Sequence, residues 1–401
     1  MKRLGRIWND LLTEENCFVA IVNGTEKKRN KKCVKPFLFS ENDVDYTPAS
    51  YHQIDPKRVE PYAKGLTEEL RQKRWKHKVP FYKRIWTPNR THKGGKWRDV
   101  WIPCERDHYV HHMVMQVAMP AFRRGMHPYC CGSVIGRGPA YAAKSIERWM
   151  KTDRECRYFV KLDIRHFFES IDRDKLMDTL RRKIKDENVL EIFEQIVDSG
   201  PVACPVGYYP APWFANLYLE KFDWWVEQDL YKERRGKRIK WVRHYLRYMD
   251  DMLFIGASKS DLYKAVRAII RYLRKEYGLE IKPDWEIKRI GHHEIDDGKW
   301  KMTDGYYCDI VGYKFSKDAT ILRDGIFLAA KRLAKKMWKK GHYTAQQCAS
   351  MVARIGWAKL TDNWRFMETY IRPYVDLEFM RSYIGYVERK RKQRADEAAC
   401  A

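Results

Sequence analysis

Hydrophobic and polar positions change period several times along this chain, and each change marks a candidate element. Residues 1–75 mix helical pieces with polar, basic joints such as GTEKKRNKK at 24–32, which predicts a solvated loop. From 80 to 103, PFYKRIWTPNRTHKGGKWRDVWIP holds two aromatic, β-rich runs around a Gly-Gly pair. That is the pattern of a hairpin, with Lys83, Arg84, Lys96 and Arg98 on its arms. Residues 105–125 and 138–152 carry helical periodicity, and between them a glycine-bearing turn holds Arg137. YFVKLD at 158–163 is a short apolar strand, followed by a helix starting near Asp172, a good N-cap. The helical period holds over 174–199, and a Pro/Gly loop then leads into an apolar helix from about Pro212 to Val226. YKERRGKRIKWVRHYLRYMDDMLFIGA gives a basic turn and two strands hinged at Asp250 and Asp251. An amphipathic helix covers 259–277, β pattern returns in LEIKPDWEIKRI and GYYCDIVGYKFSKDATILR, and the last seventy residues are helical and basic. Strands and helices alternate irregularly and no internal repeat is present, so the expected fold class is α+β.

Composition adds a partner to this picture. At 401 residues and 44% hydrophobic content the chain can bury a core spanning two or three subdomains. Its 79 Lys+Arg against 53 Asp+Glu leave a net charge of +26, a field that suits a polyanion, with nucleic acid ahead of a ribosome-associated or membrane-surface role. No apolar stretch approaches the roughly 20 residues of a membrane-spanning helix, and CFVAIV is too short for a signal peptide. The expectation is a soluble cytoplasmic protein with no membrane partner. Its ten cysteines are scattered without zinc-type spacing, which predicts reduced and mostly buried thiols.

The chemistry concentrates in LRYMDDMLFIG, 246–256, where two adjacent aspartates interrupt two apolar runs. Asp is a turn former, yet neighbouring carboxylates repel unless a cation lies beside them. Asp163 ends its own apolar strand in the same way. If the two segments are neighbours in a sheet, three oxygen ligands converge at one edge, a set suited to Mg²⁺, with Mn²⁺ as the alternative. Two such ions about 4 Å apart would lower the pKa of an attacking hydroxyl and steady a departing pyrophosphate.

YMDD at 248–251 and KLDIRHFFESID at 161–172 resemble motifs C and A of reverse transcriptases, and the segments around them follow in matching order. GKWRDVWIPCERD resembles the fingers motif of bacterial and group II intron enzymes, and GSVIGRGPAYA the segment after it. PVGYYPAPWFANLYLEKFD stands at motif B, YGLEIKPDWEIK at motif D and DIVGYKF at motif E, the primer grip. The resemblance covers roughly residues 80–320. It implies a right-hand polymerase: an N-terminal extension (1–75), fingers (76–157), a palm with an antiparallel sheet (158–320, with fingers-like helices at 174–210) and a basic helical thumb with the C-terminal tail (321–401).

By that resemblance Asp163, Asp250 and Asp251 hold two Mg²⁺ ions, and Lys282 protonates the leaving pyrophosphate, with Lys288 as its rival. Lys96 and Arg98 neutralise the triphosphate. Phe168 is the aromatic gate that excludes a 2′-hydroxyl, one of Phe167 and Phe168 being core, while Gly207 and Met249 border the incoming nucleotide. Tyr248, Gly312 and Tyr313 handle nucleic acid. In AAKRLAKKMWKK, Lys331, Lys335 and Lys339 recur at i, i+4 spacing, with Leu328, Leu333 and Met337 expected to face inward; a thumb would track phosphates with such a face. ERRGKRIKWVRH, 233–244, adds a basic hairpin suited to a structured RNA. One departure stands out: where relatives in diversity-generating retroelements resemble GxxxSQ, this chain has Ala211 and Pro212 at the Ser and Gln positions.

The implied partners are an RNA template, expected to be a structured noncoding RNA, the cDNA product and dNTPs, with an accessory protein or a second copy as further candidates. The expected function is RNA-directed DNA synthesis serving bacterial antiphage defence. The alternatives are the reverse transcriptase of a diversity-generating retroelement and, from another class, a catalytically inactive RNA-binding scaffold.

Overall fold

Two faces of one small sheet organise the molecule. In the computed structural model the described residues are 3–25, 34–37, 54–88, 94–296, 299–362 and 365–400; most of the basic joint at 24–32 lies outside them. The N-terminal part supplies α1 (Trp8–Leu11), α2 (Glu14–Thr25) and α3 (Pro56–Arg71), followed by the hairpin of β1 (Phe81–Pro88) and β2 (Gly95–Ile102). Next come α4 (Glu105–Arg123), α5 (Pro139–Thr152), β3 (Tyr158–Asp163), α6 (Arg173–Lys183), α7 (Glu187–Asp198), α8 (Ala211–Tyr218) and α9 (Glu220–Gln228). A second hairpin, β4 (Tyr231–Arg234) and β5 (Lys237–Lys240), precedes β6 (His244–Tyr248), β7 (Asp251–Gly256) and α10 (Lys259–Tyr272). Short strands follow: β8 (Lys288–Arg289), β9 (His292–Asp296), β10 (Lys299–Thr303), β11 (Cys308–Ile310), β12 (Tyr313–Phe315) and β13 (Thr320–Leu322). The chain closes with α11 (Asp324–Lys340), α12 (Ala345–Ala358), α13 (Arg365–Tyr370) and α14 (Leu377–Cys400). The class is α+β, as the irregular alternation predicts, and no described helix is long and apolar enough to cross a membrane.

The central sheet runs β6-β7-β3-β8 with antiparallel pairing throughout. Successive side chains of a strand point to opposite faces, and here both faces are covered. Val160, Leu162, Met252 and Phe254 pack with Leu262, Val266 and Ile269 of α10. Phe159, Leu246, Leu253 and Ile255 pack on the other side with Ile146 and Trp149 of α5 and with Cys308, Ile310 and Phe315 of β11 and β12. Strands buried on both sides need near-continuous apolar sequence, which is why YFVKL and MLFI read as runs rather than alternations. The N-terminal extension is not a separate body, since Leu11, Ile21, Leu66 and Leu70 belong to the same core as α10. Helices α11–α14 enclose a core of their own around Ala334, Met351 and Met367.

Several expectations change on contact with tertiary structure. The single helix over 174–199 is two, because Ile184 leaves the helix to bridge Leu4, whose N–H and C=O bond Lys183 and Lys185. Asp186 then accepts the Trp8 amide at 3.0 Å. The helix over 212–226 breaks at Leu219, whose backbone departs from helical geometry (φ −94°, ψ 5°). Leu328 faces outward at 40% exposure, and the inward face of α11 is Ala330, Ala334 and Met337 with Leu333 packed against the same core, the two alanines letting α12 approach.

Tyr313 also needs correction as a nucleic-acid contact. It is 1% exposed, stacks on Trp357 with ring centroids 5.5 Å apart, and donates its hydroxyl to the Trp357 carbonyl at 3.0 Å. Its strand alternation turns it into the second core, and it fastens the β11–β13 sheet to α12. Tyr313→Phe is expected to lower unfolding free energy by about 1 kcal/mol through the lost hydrogen bond; urea denaturation with an unchanged midpoint would remove that fastening.

Candidate active site

The turn between β6 and β7 consists of Met249 and Asp250, since Tyr248 pairs with Asp251. Two-residue hairpin loops demand backbone in the left-handed region, usually met by Asn or Gly. Met249 adopts φ +62° instead, a conformation that costs a non-glycine residue roughly 1–3 kcal/mol and persists only where the surroundings enforce it.

A buried polar network does the enforcing. Arg247, on β6, is fully buried, as are Asp223 and Asn216. Its Nε and Nη2 donate to the two Asp223 oxygens at 2.7 and 2.6 Å, and Nη1 donates to Asn216 Oδ1 at 3.0 Å and to the Met249 carbonyl at 3.2 Å. Burial opposes the charge on Arg247, but the Asp223 carboxylate outweighs it and holds the guanidinium pKa well above its ordinary value. Tyr245 adds a hydroxyl donor to Asp223 at 2.7 Å. The segment after α4 docks on the same group: Arg247 N–H donates to the Tyr129 carbonyl, Cys131 N–H to the Arg247 carbonyl, and Asn216 Nδ2 to the Gly132 carbonyl. Gly132 lies so close that an added Cβ would stand 2.7 Å from the Met249 nitrogen. Sequence reasoning missed Gly132, Asn216, Asp223 and Arg247; the available signal was a charged residue inside an apolar strand, which must be paired to be buried.

Strand register puts Asp163 directly opposite Asp251 at the open end of the sheet, with Asp250 next to both in the turn. Like charges in opposite positions destabilise a sheet. Burial raises the pKa of Asp250, and the charges of Asp163 and Asp251 raise it further. Asp251 is raised by burial and by Asp163, with Lys161 opposing. Lys282 supplies the nearest cation: its amide donates to the Asp163 carbonyl at 3.0 Å and its Nζ stands 2.5 Å from Oδ1. That ion pair, through its hydrogen bond to Asp163, raises the Lys282 pKa. The Lys282 ammonium is thus the charge partner of an Asp163 Oδ1 that is shielded from solvent. Three neighbouring carboxylates make an all-oxygen donor set, which fits Mg²⁺ or Mn²⁺ rather than a softer ion. Lys288, the rival to Lys282, is engaged elsewhere, 3.2 Å from Glu286 and 5.1 Å over the Tyr306 ring.

Among the described residues, the one set of three potential ligands whose atoms all lie within 4.8 Å of one another is a different one: Asp153, Cys156 and His244. Sequence spacing gave no hint of it. Asp153 Oδ2 contacts His244 Nε2 at 2.8 Å, Oδ1 accepts the Glu155 amide at 2.9 Å, and burial pushes the Cys156 thiol up to about 12. The set is accounted for by its own hydrogen bonds.

Of the two neighbouring phenylalanines, Phe167 is core and Phe168 is half-buried. Phe168 lines a cavity of about 400 Å³ with Tyr82, Asp99, Trp101, Cys204 and Val206, between the first hairpin and the loop before α8. Gly207 joins that loop to the hairpin. Its φ is +115°, and a Cβ there would stand 2.4 Å from the Trp101 carbonyl, next to the Val206 carbonyl that accepts the Trp101 amide at 2.7 Å. Lys96 and Arg98, both exposed, share a strand face with Val100, which adjoins the Gly207 position. Tyr208 stacks on His77 and lies tilted against His111, and Tyr209 stacks on His112 at 3.7 Å, so the loop is clamped from behind. Ala211 is buried and Pro212 occupies the first turn of α8. The departure from GxxxSQ thus sits in a helix start, where proline needs no amide partner.

The remaining expected contacts are spread out. Tyr248 is half-buried against the second core. Gly312 forms a two-residue turn with Val311 beneath Trp357. Lys331 and Lys335 lie over the rings of Tyr370 and Tyr374 at 4.0 and 5.4 Å, while Lys339 is exposed.

Residues 92–284 match the family model described as reverse transcriptase (RNA-dependent DNA polymerase). Protein YkfC of Escherichia coli is 21% identical over 250 residues, covering 54% of this chain and 64% of the relative. The 91 kDa protein in cob intron of Schizosaccharomyces pombe is 28% identical over 144 residues, 33% of this chain and 17% of its own length. Among solved structures, telomerase from Candida tropicalis, in complex with a TWJ fragment of telomeric RNA, superposes with TM-score 0.46 at 12% identity, over 79% of this chain and 59% of that one. The chain therefore spans less than two thirds of the length of each.

Asp223→Ala should cost about 3–5 kcal/mol by leaving the Arg247 charge buried and alone. The measurement is denaturant unfolding of wild type and variant, and a loss under 1 kcal/mol would show that the turn is held by something else.

Proposed function

We propose, from the premise that residues 92–284 belong to the reverse transcriptase family, that this chain extends a primer with deoxynucleotides as an RNA-directed DNA polymerase. The observation that carries the reading is the register that sets Asp163 opposite Asp251 beside the Asp250 turn. These three carboxylates would hold the divalent ions, which when bound activate the primer hydroxyl and neutralise the departing pyrophosphate.

The chain's own residues supply the rest. Arg98 and Lys96 neutralise the triphosphate, one as a planar fork and the other as a point charge. Lys282 keeps a proton on Nζ, its pKa raised by Asp163, and delivers it to the leaving pyrophosphate. The half-buried Phe168 ring lies beneath the incoming sugar and leaves no room for a 2′-hydroxyl. Met249, held at the tip of the turn, borders the primer end, and Gly207 lets the loop before α8 lie flat against the hairpin. Helices α11–α14, with Lys339 exposed and Lys331 and Lys335 laid over tyrosine rings, follow the backbone of the bound duplex as a thumb.

The template we assign is one dedicated noncoding RNA, and the setting is bacterial antiphage defence. The buried Ala211 and helix-starting Pro212 support this over the diversity-generating alternative, because that helix start offers no side-chain hydrogen bond to a template base.

Two measurements test the chemistry. Asp250→Ala should reduce primer extension by about 10³-fold or more, equivalent to ~4 kcal/mol of transition-state stabilisation, while RNA affinity stays within twofold; extension at the wild-type rate would exclude Asp250 from the mechanism. Phe168→Ala should raise ribonucleotide incorporation relative to deoxynucleotide by about 10- to 100-fold, the range set by steric exclusion in a pocket; an unaltered ratio would end the gate assignment.

A further inference from the structure

The second hairpin, β4–β5, has no part in the site just described. Its Arg235-Gly236 turn is a tight two-residue connection with both φ values positive, 51° and 70°. Two side chains anchor it, Lys232 Nζ on Asp261 at 2.7 Å and Lys240 Nζ on Glu227 at 2.6 Å, and Arg238 lies 4.4 Å over the Tyr231 ring within the hairpin. With those in place, Arg234, Arg235 and Lys237 at the tip are exposed. The Lys232–Asp261 pair joins the hairpin to the first turn of α10. One turn further along α10 stands Lys264, followed by Arg267 and Arg271, all exposed. The fourteen residues of α10 rise about 21 Å, a length that spans several phosphates of a duplex.

We propose that the β4–β5 tip and the outer face of α10 form one docking surface for a double-helical part of the template-bearing RNA, separate from the polymerisation cleft. The inference rests on the polymerase reading for the identity of the RNA. Its chemistry is phosphate recognition, since exposed guanidinium and ammonium groups dominate the surface and Arg binds phosphate bidentately. Exposed aromatic rings, the platform that single strands need, gather on the first hairpin, where Tyr82, Trp86 and Trp97 are 46%, 45% and 50% exposed, against Tyr263 on α10 at 49%. Position selects the RNA over the product. α10 covers the sheet face of Val160 and Phe254, whereas Asp163 and Asp251 belong to the opposite face, so a DNA product leaving the carboxylates does not pass this side. An RNA that continues beyond its copied stretch can wrap around to it, and A-form duplexes are read through shape, 2′-hydroxyls and phosphates.

The test compares the full chain with two triple variants, Arg234→Ala/Arg235→Ala/Lys237→Ala and Lys264→Ala/Arg267→Ala/Arg271→Ala. The probe is an RNA dumbbell, a duplex of about 24 base pairs closed by a loop at each end, titrated over a range of KCl. Each triple is expected to lower the slope of log K against log salt by about 3, close to one per lost phosphate contact. Primer extension on oligo(dT)-primed poly(rA) should keep its wild-type rate in both. An unchanged slope in either variant overturns the surface. Equal losses on a DNA dumbbell of the same sequence, or losses confined to vesicles containing phosphatidylserine, overturn the assignment to RNA. Failure of the polymerase reading is separately visible, as absent extension by the wild type while the slope changes persist.

Discussion

The site depends first on an ion pair with no access to water. Arg247 and Asp223 are both fully buried, and taking two charges into a protein interior costs several kcal/mol per ion unless nearly every donor and acceptor is used. Here the guanidinium reaches Asp223, Asn216 and the Met249 carbonyl together. The pair ties α9, α8 and β6 to the turn that carries Asp250, and through the backbones of residues 129–132 it joins the α4–α5 connection to the same turn. A strained Met249 persists because this network leaves the turn no alternative position.

Upon that turn rests an electrostatic conflict. Three carboxylates meet where two apolar strands end, and burial together with mutual repulsion raises the pKa of Asp250 and Asp251. Lys282 moderates the conflict from one side at 2.5 Å from Asp163. The charged forms of Asp250 and Asp251 are thus disfavoured where they stand. Their grouping is therefore better explained by cation chemistry than by stability, in keeping with the tendency of perturbed carboxylates to gather at functional sites.

The loop before α8 illustrates a different kind of constraint. Gly207 permits backbone contact with the first hairpin, while Tyr208 and Tyr209 lie on three histidines contributed by α4 and the segment before β1. These aromatic contacts join three segments distant in sequence and fix the loop that supplies Cys204 and Val206 to the cavity lined by Phe168. The N-terminal helices share the core that supports this arrangement.

The order of elements, the α+β class and the placing of Asp163, Asp250 and Asp251 at the ends of apolar strands were legible in the sequence, because apolar runs, turn residues and neighbouring acids are local signals that need no partner to be seen. The hairpin at 81–102, the Asp172 N-cap and the strands flanking Asp250 follow from period and capping alone. Tertiary structure decided what depends on a distant partner. It broke the helix at Ile184 through Leu4, turned Tyr313 inward onto Trp357, sent Leu328 outward, and paired Arg247 with Asp223 across a gap of 24 residues. A side chain's periodicity tells which way it points along its own element, but whether that direction is core, cleft or solvent is settled only when another element arrives to cover it.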